Sequence, residues 1–285
     1  MTSADRDLEL PAAMRAEFAR SARSWIDEPV AARPVPPRLA ASVLLLREVP
    51  GAFGPRLEVF TQQRVAEMAF AASMHVYPGG GVDVRDGEGE LDWAGPGRTP
   101  AWWARVLGVD VARARLVVLA AVREVFEECG VLFAGQRTRA LLRGLGQQWQ
   151  DQRAALVSHR LTVAEMARSE SLVLRSDLLH PLARWVTPEC EPRRYDTFFF
   201  AAALPPGQRA DGRTSEARST GWVDPGRLVQ EASSELMAPT QLLAEQLAGA
   251  TGMTSYLRGR PSLKPVLPYP VDTADGIRLR VPGGE

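Results

Sequence analysis

Three glutamates at helical spacing suggest chemistry more clearly than any other residues of this 285-residue chain. Glu124, Glu127 and Glu128 stand at positions i, i+3 and i+4, so a helix would place their carboxylates on one face. Like charges at this spacing repel each other, and a hard divalent cation with oxygen ligands would remove the penalty. Arg123, which precedes them, can orient carboxylates by charge-assisted hydrogen bonds. The segment therefore predicts a site for a hard divalent cation such as Mg²⁺, with a solvated charged helix face as the alternative.

The elements that must position these carboxylates follow from local patterns. Residues 113–129 predict a helix, and Gly130 is a typical helix stop. Residues 39–47 form a short apolar run that is typical of a buried strand, and residues 57–63 alternate like a second strand. A further short strand at 74–78 leads into three glycines, so a glycine-rich loop is expected between the strands and the acidic helix.

The remaining chain predicts mixed helices and strands in a mixed α/β fold. An N-terminal helix is expected over 11–28, followed by a proline-rich extended linker. Residues 82–112 are predicted to be an insertion that contains a short helix near 100–107, and residues 138–180 are predicted to be helical in two or three pieces. The other predicted elements are strands near 183–187, 195–204 and 215–223, a helix over 236–249 and a final strand at 277–281.

Composition excludes several function classes. The chain has 34 basic and 34 acidic residues, so its net charge near zero argues against a nucleic-acid footprint, and any phosphate recognition must be local. No apolar stretch is long enough to span a membrane, and the polar N-terminus does not resemble a secretory signal. The two cysteines are too few for a disulfide scaffold or a thiolate zinc site. A cytoplasmic protein with a small-molecule substrate is expected.

The segment Arg123–Val131 (REVFEECGV) resembles the second half of the Nudix box, R-E-(apolar)-x-E-E-x-G-(apolar). The preceding Tyr77-Pro78-Gly79-Gly80 resembles the strand and loop that open the same box. The resemblance covers roughly residues 38–225 apart from the insertions. It implies an α/β/α sandwich with a mixed sheet and hydrolysis of a nucleoside diphosphate linked to another moiety, with Mg²⁺ or Mn²⁺ as the cofactor.

The resemblance also implies roles for single residues. Glu124 and Glu128 would be the main metal ligands, Glu127 a further ligand or the general base, and the backbone carbonyl of Gly79 another metal contact. Glu216, which precedes the predicted strand that ends at Trp222, would lie near the metal, with an exposed loop glutamate as the alternative. Arg123 is a further candidate for catalysis. Arg64, Arg194 and Gly80 are candidates for binding substrate phosphates. For one arginine of the Arg193-Arg194 pair, a structural ion pair with Asp196 is the alternative.

The box of this chain is interrupted. Residues 81–122 separate Gly80 from Arg123, which is much longer than the usual box, and Arg115 stands where the box normally has a glutamate. An interrupted box resembles the branch of the family related to coenzyme A diphosphatases. That branch has an additional signature before the box, which Arg64 matches; Ser73 stands where the signature has glycine.

These observations predict a hydrolase of a diphosphate linkage in coenzyme A or acyl-coenzyme A. ADP-ribose, a dinucleotide or a damaged nucleotide is an alternative substrate, and a non-catalytic Nudix ligand-binding module is an alternative from another class. The predicted organisation is an N-terminal helix and linker (1–37), a Nudix domain (38–250) with its insertions, and a C-terminal tail (251–285) that packs on the domain. The two insertions are expected to build the pocket for the leaving moiety. A homodimer is compatible with the sequence.

Overall fold

The computed structural model describes residues 4–27, 34–52, 54–66, 71–93, 98–136, 140–144, 146–214 and 216–283. The linker predicted after the first helix lies partly outside them, at residues 28–33. The strands are β1 (Arg6–Leu8), β2 (Arg38–Val49), β3 (Arg56–Arg64), β4 (His75–Val76), β5 (Gly79–Gly81), β6 (Ala134–Gln136), β7 (Leu172–Leu174), β8 (His180–Val186), β9 (Tyr195–Ala203), β10 (Ala217–Val223), β11 (Tyr269–Thr273) and β12 (Gly276–Val281). The helices are α1 (Ala12–Asp27), α2 (Pro100–Leu107), α3 (Val111–Cys129), α4 (Gln147–Val157), α5 (Val163–Ser169), α6 (Pro225–Glu231), α7 (Ala238–Ala248) and α8 (Met253–Leu257), with short 3₁₀ helices at Val84–Gly87, Ser176–Leu178 and Ser233–Glu235.

A mixed sheet forms the centre of the fold. Its order is β10-β3-β2-β9-β8, with β4 paired to β3 and β5 paired to β2, so it has seven strands within the described ranges. The pairing of β2 with β9 is parallel and the other pairings are antiparallel. The first half of β2 pairs with β5 and the second half with β3, which brings the glycine loop onto the middle of the sheet.

Both faces of the sheet are covered by helices. Val43 and Leu45 of β2 pack toward α2 and α3, whereas Leu44 and Leu46 pack toward α6 and α7, and none of the four is exposed. A strand buried on both faces is apolar throughout rather than alternating, as the run at 39–47 predicts. The predicted α/β/α sandwich with a mixed sheet is therefore confirmed, and α4 and α5 add helices beyond the sandwich.

The acidic helix α3 is anchored by its apolar residues. Val117, Leu119 and Val122 are fully buried, and each such burial contributes about 1.5–3 kcal/mol to folding. Asp110 caps the start of the helix by accepting a hydrogen bond from the Arg113 N–H. Gly130 ends it with φ 66°, as the sequence predicts, since this left-handed conformation favours glycine. The packing therefore holds α3 against the repulsion among its carboxylates.

The two ends of the chain pair with each other, which local patterns did not predict, although the final strand predicted at 277–281 is present as β12. Within the described residues, β1, β12 and β11 make a three-stranded antiparallel sheet, so the N-terminal segment and the C-terminal tail pair directly. Phe18 and Ala22 of α1 are buried with Leu279 of β12. Helix α1 thereby lies beside the central domain, close to the glycine loop. Among the described helices, none has the length and apolarity needed to cross a membrane.

Candidate functional site

The structure brings the three glutamates together in a buried setting. Glu124 and Glu128 are 8% and 4% exposed, and only 12% of the Glu127 side chain is exposed. The alternative of a solvated helix face is therefore wrong. Burial raises the pKa of Glu124 to about 7, and burial followed by the charge of Glu124 raises the pKa of Glu128. A cation placed here would favour the charged forms of both carboxylates.

Arg123 organises the carboxylates. Its Nη1 donates to Glu124 Oε1 at 2.8 Å and to Glu127 Oε2 at 3.0 Å. Its Nε donates to Asp86 Oδ1 at 2.9 Å, and its Nη2 donates to the backbone carbonyl of Gly81 at 2.8 Å. One guanidinium therefore joins the acidic helix to the glycine loop and to the insertion that follows it.

The glycine loop lies close to the carboxylates. The N–H of Gly79 donates to Glu128 Oε2 at 2.8 Å. A Cβ at Gly79 would lie 2.4 Å from the backbone oxygen of Ala41 in β2, so only glycine fits against that strand. The first half of the interrupted box is thus rejoined in space to its second half.

Glu127 retains an unused acceptor. Its Oε1 is buried and has no hydrogen-bond partner, and unpaired buried oxygens of this kind are costly unless a ligand satisfies them. Within the described residues no group of three or more histidine, cysteine, aspartate or glutamate side chains is arranged to hold a metal ion by itself. Mg²⁺ usually binds through one or two carboxylates and completes its shell with water and substrate phosphates. Carboxylate oxygens such as those on α3 are donors that Mg²⁺ and Mn²⁺ accept, with water and substrate phosphates completing the shell.

Two cavities meet at this place. An open acidic cavity is lined by Arg123 and the three glutamates, and on its other side by residues 82–84, Val157, His159 and Arg213. The second cavity, of about 390 Å³, extends under α1 and includes Gly79, Gly80 and Arg64. Glu216 lines both cavities, and its charge also raises the pKa of Glu128, so it lies near the acidic helix.

The arginine candidates differ in placement. Arg64 lines the second cavity, and its Nε is buried without a hydrogen-bond partner. This N–H is therefore available to donate a hydrogen bond to a bound anion. Arg194 is 5% exposed and lines neither cavity; its guanidinium donates to the backbone carbonyls of Thr187 at 3.0 Å and Val35 at 2.8 Å. These bonds give Arg194 a structural role. The structure therefore does not support the prediction that Arg194 binds substrate. Asp196, the structural partner considered from the sequence, pairs with Arg184 instead.

Some residues of the site were missed by the sequence analysis. Asp86, in the insertion, is 4% exposed and holds Arg123 from the side opposite the glutamates. The local sequence pattern that could have pointed to Asp86 is the pair of aspartates on either side of Arg85. The other aspartate of that pair, Asp83, caps the 3₁₀ helix there. Ser73, at the position where the sequence analysis expected glycine, has φ 61°, a backbone conformation that glycine adopts more readily than other residues.

The fit between Gly80 and Glu124 leads to a prediction. A Cβ at Gly80 would lie 2.6 Å from Glu124 Oε1, whereas a Cβ at Gly81 would have no atom within 4 Å. We expect Gly80→Ala to push the Glu124 carboxylate out of place and to weaken Mn²⁺ binding by about tenfold, the lower end for lost support of a metal ligand. Titration of Mn²⁺ against both variants checks this, and equal affinities for Gly80→Ala and Gly81→Ala would contradict it.

Comparison with known proteins agrees with the observed fold. No family model matches the chain. The structure is similar to that of a Nudix hydrolase from Alicyclobacillus acidocaldarius, with a TM-score of 0.64 and 21% sequence identity over 81% of this chain and 99% of that chain. A weaker similarity is to a MutT protein from Methanosarcina mazei Go1, with a TM-score of 0.38 and 12% identity over 74% of this chain and 93% of that chain. Another is to a C. elegans Ap4A hydrolase, with a TM-score of 0.37 and 14% identity over 74% of this chain and 95% of that chain. The first similarity shows that this chain has the Nudix fold.

Proposed function

We propose that this chain is a Mg²⁺-dependent Nudix hydrolase that cleaves a diphosphate linkage. The observation that carries the proposal is the buried cluster of Glu124, Glu127 and Glu128 on α3, which Arg123 holds against the glycine loop. Buried carboxylates that a protein retains without matching positive charges are costly unless they bind a cation. Arg123 supplies one positive charge against the carboxylates of three glutamates and Asp86. A divalent cation would balance part of the remaining negative charge.

The residues that would hold the metal are Glu124 and Glu128, with the backbone carbonyl of Gly79 as a further contact. A bound Mg²⁺ would neutralise charge on the diphosphate oxygens and increase the acidity of a bound water. Arg123 keeps Glu124 and Glu127 in fixed orientations, so little reorganisation is needed when the substrate binds. The Gly79 N–H holds Glu128 in the same way.

The other roles follow from position. Glu127 Oε1, which lacks a partner, can accept the proton of the attacking water; Glu128 and Glu216 are the alternative bases. Arg64 donates to a phosphate oxygen of the substrate through its unpartnered Nε, and the backbone at Gly80 lies beside the same phosphates. Phosphoryl transfer depends mainly on positioning and electrostatic stabilisation, which these groups supply.

Coenzyme A or an acyl-coenzyme A is the substrate that we propose first. Support comes from the interrupted box, from Arg64 before it, and from the left-handed backbone of Ser73 at the expected glycine position. ADP-ribose and dinucleotides are the alternatives within the same activity. A non-catalytic binding module would be expected to have lost metal carboxylates, and all three are present here and face one cavity.

Product analysis tests the proposal. Coenzyme A, acetyl-coenzyme A, ADP-ribose and NADH are incubated with the protein, with and without Mg²⁺. We expect Mg²⁺-dependent release of adenosine 3′,5′-bisphosphate and a phosphopantetheine product. Activity only on ADP-ribose or NADH would retain the hydrolase and exclude coenzyme A. Absence of cleavage for all four substrates, in protein that binds Mn²⁺, would favour the binding module.

A further inference from the structure

The cavity under α1 has apolar walls. They include Met14 and Phe18 of α1, Phe199 of β9, Trp185 of β8, Pro239 at the start of α7 and Leu279 of β12. The walls therefore come from both ends of the chain and from the central sheet. The insertions at 82–112 and 138–180, which were expected to build the pocket for the leaving moiety, line the open acidic cavity through residues 82–84, Val157 and His159.

The apolar cavity is continuous with the proposed catalytic centre. Gly81, Glu124, Tyr195 and Glu216 line both cavities. Arg64 lies in the apolar cavity beside the glycine loop, with its Nε buried and unpartnered. A substrate whose diphosphate lies at Glu124 and Arg64 would therefore extend one arm toward α1 and the other toward His159 and Arg213.

The side chains that line each cavity indicate which arm of the substrate it would bind. The Thr187 hydroxyl, one of the polar groups in the apolar cavity, already bonds to the Tyr195 backbone. Ribose hydroxyls that bind against the apolar side chains of this cavity would lose water without gaining a hydrogen-bond partner, which is unfavourable. The opposite cavity offers charged groups, including Arg38, Asp83 and Arg213, and suits a nucleoside. A cavity of about 150 Å³ holds a benzene molecule, so a cavity of about 390 Å³ has space for an apolar group of at least about six carbon atoms beside the diphosphate.

We propose that the cavity between α1, β9 and the start of α7 binds the apolar arm of a diphosphate ester, and that α1 thereby determines substrate specificity. The inference rests on the proposed diphosphate hydrolysis and departs from coenzyme A, whose pantetheine arm carries two amides and a hydroxyl. It identifies the substrate class as a nucleoside diphosphate esterified with an aliphatic or aromatic group. The nucleoside lies in the acidic cavity and the apolar group lies under α1.

Binding of two matched probes tests the proposal without requiring cleavage. The probes are the methyl and hexyl esters of adenosine diphosphate with a methylene group in place of the bridging oxygen, measured by calorimetry. Each buried methylene strengthens binding by about three- to fourfold at most, so the hexyl probe is expected to bind at least about tenfold more tightly than the methyl probe. Its binding is also expected to show a more negative heat-capacity change.

Substitutions on α1 and α7 test whether the preference for the hexyl probe arises in the cavity under α1. Met14→Trp fills the cavity and is expected to abolish the preference for the hexyl probe while leaving the methyl probe unaffected. Ala16→Trp, on the exposed side of the same helix, is the matched control and should retain the preference. Ala238→Leu fills the cavity from the α7 side and replaces Met14→Trp if that variant does not fold.

The outcomes separate this inference from the proposed function. Equal affinity for both probes in the wild type, no binding of either, or a preference that survives in Met14→Trp and Ala238→Leu would overturn the apolar site. Cleavage of the oxygen-bridged esters without a chain-length effect would leave the hydrolase intact and overturn only this inference. A hexyl preference that Met14→Trp abolishes, in a protein that cleaves neither these esters nor the four substrates named above, would support the apolar site and contradict the proposed activity.

Discussion

Glu128→Gln is expected to reduce kcat for diphosphate hydrolysis by at least about a hundredfold. The change removes a charge from the proposed metal site, and losing about 3 kcal/mol of transition-state stabilisation corresponds to that factor. The glutamine oxygen can still accept the hydrogen bond from the Gly79 N–H, so the local backbone should be retained. Steady-state kinetics and a Mn²⁺ titration on the same sample measure both effects.

The control for this variant is Glu90→Gln, which removes an exposed carboxylate of the insertion outside both cavities. It should leave kcat and Mn²⁺ affinity unchanged. The free energy of unfolding of metal-free Glu128→Gln should not fall, because the substitution relieves the repulsion between Glu124 and Glu128. Near wild-type kcat in a folded Glu128→Gln protein would exclude Glu128 as a metal ligand.

Arg123→Ala is expected to destabilise the fold by about 3–5 kcal/mol, which is typical when one partner of a buried ion pair is removed. The substitution leaves Asp86, Glu124 and Glu127 buried without their common donor and also removes the bond to the Gly81 carbonyl. Arg123→Lys should give an intermediate loss, since one ammonium cannot reproduce the planar guanidinium fork. Urea unfolding in the absence of metal measures these changes.

A matched control for Arg123→Ala is Arg85→Ala, which breaks an arginine–aspartate pair in the same insertion where the guanidinium is more exposed. Little change in the urea midpoint is expected there, because solvent screens such pairs. A double-mutant cycle with Asp86→Ala should show strong coupling to Arg123. A loss below about 1 kcal/mol for Arg123→Ala would mean that the carboxylate cluster does not depend on this residue.

Features that depend on neighbours in the sequence could be predicted from the sequence. The apolar run at 39–47 predicted a strand, and the structure confirms it as a strand buried on both faces. The spacing of the three glutamates placed them on one face of a helix, and Gly130 predicted where that helix ends. Helix and strand periodicities are local, so a window of the sequence contains the information.

The tertiary structure decided the rest of the candidate site. Burial of Glu124 and Glu128, the link from Arg123 to Asp86, and the structural bonds of Arg194 all join residues that are far apart in the chain or depend on which atoms pack nearby. The same holds for the apolar cavity, where α1 and β12 meet beside the central sheet. Residue types and spacing determined which groups could bind a metal and a diphosphate. Long-range packing determined which of them are buried, which are already satisfied and which remain available to a ligand, because burial and hydrogen-bond partners depend on the whole fold.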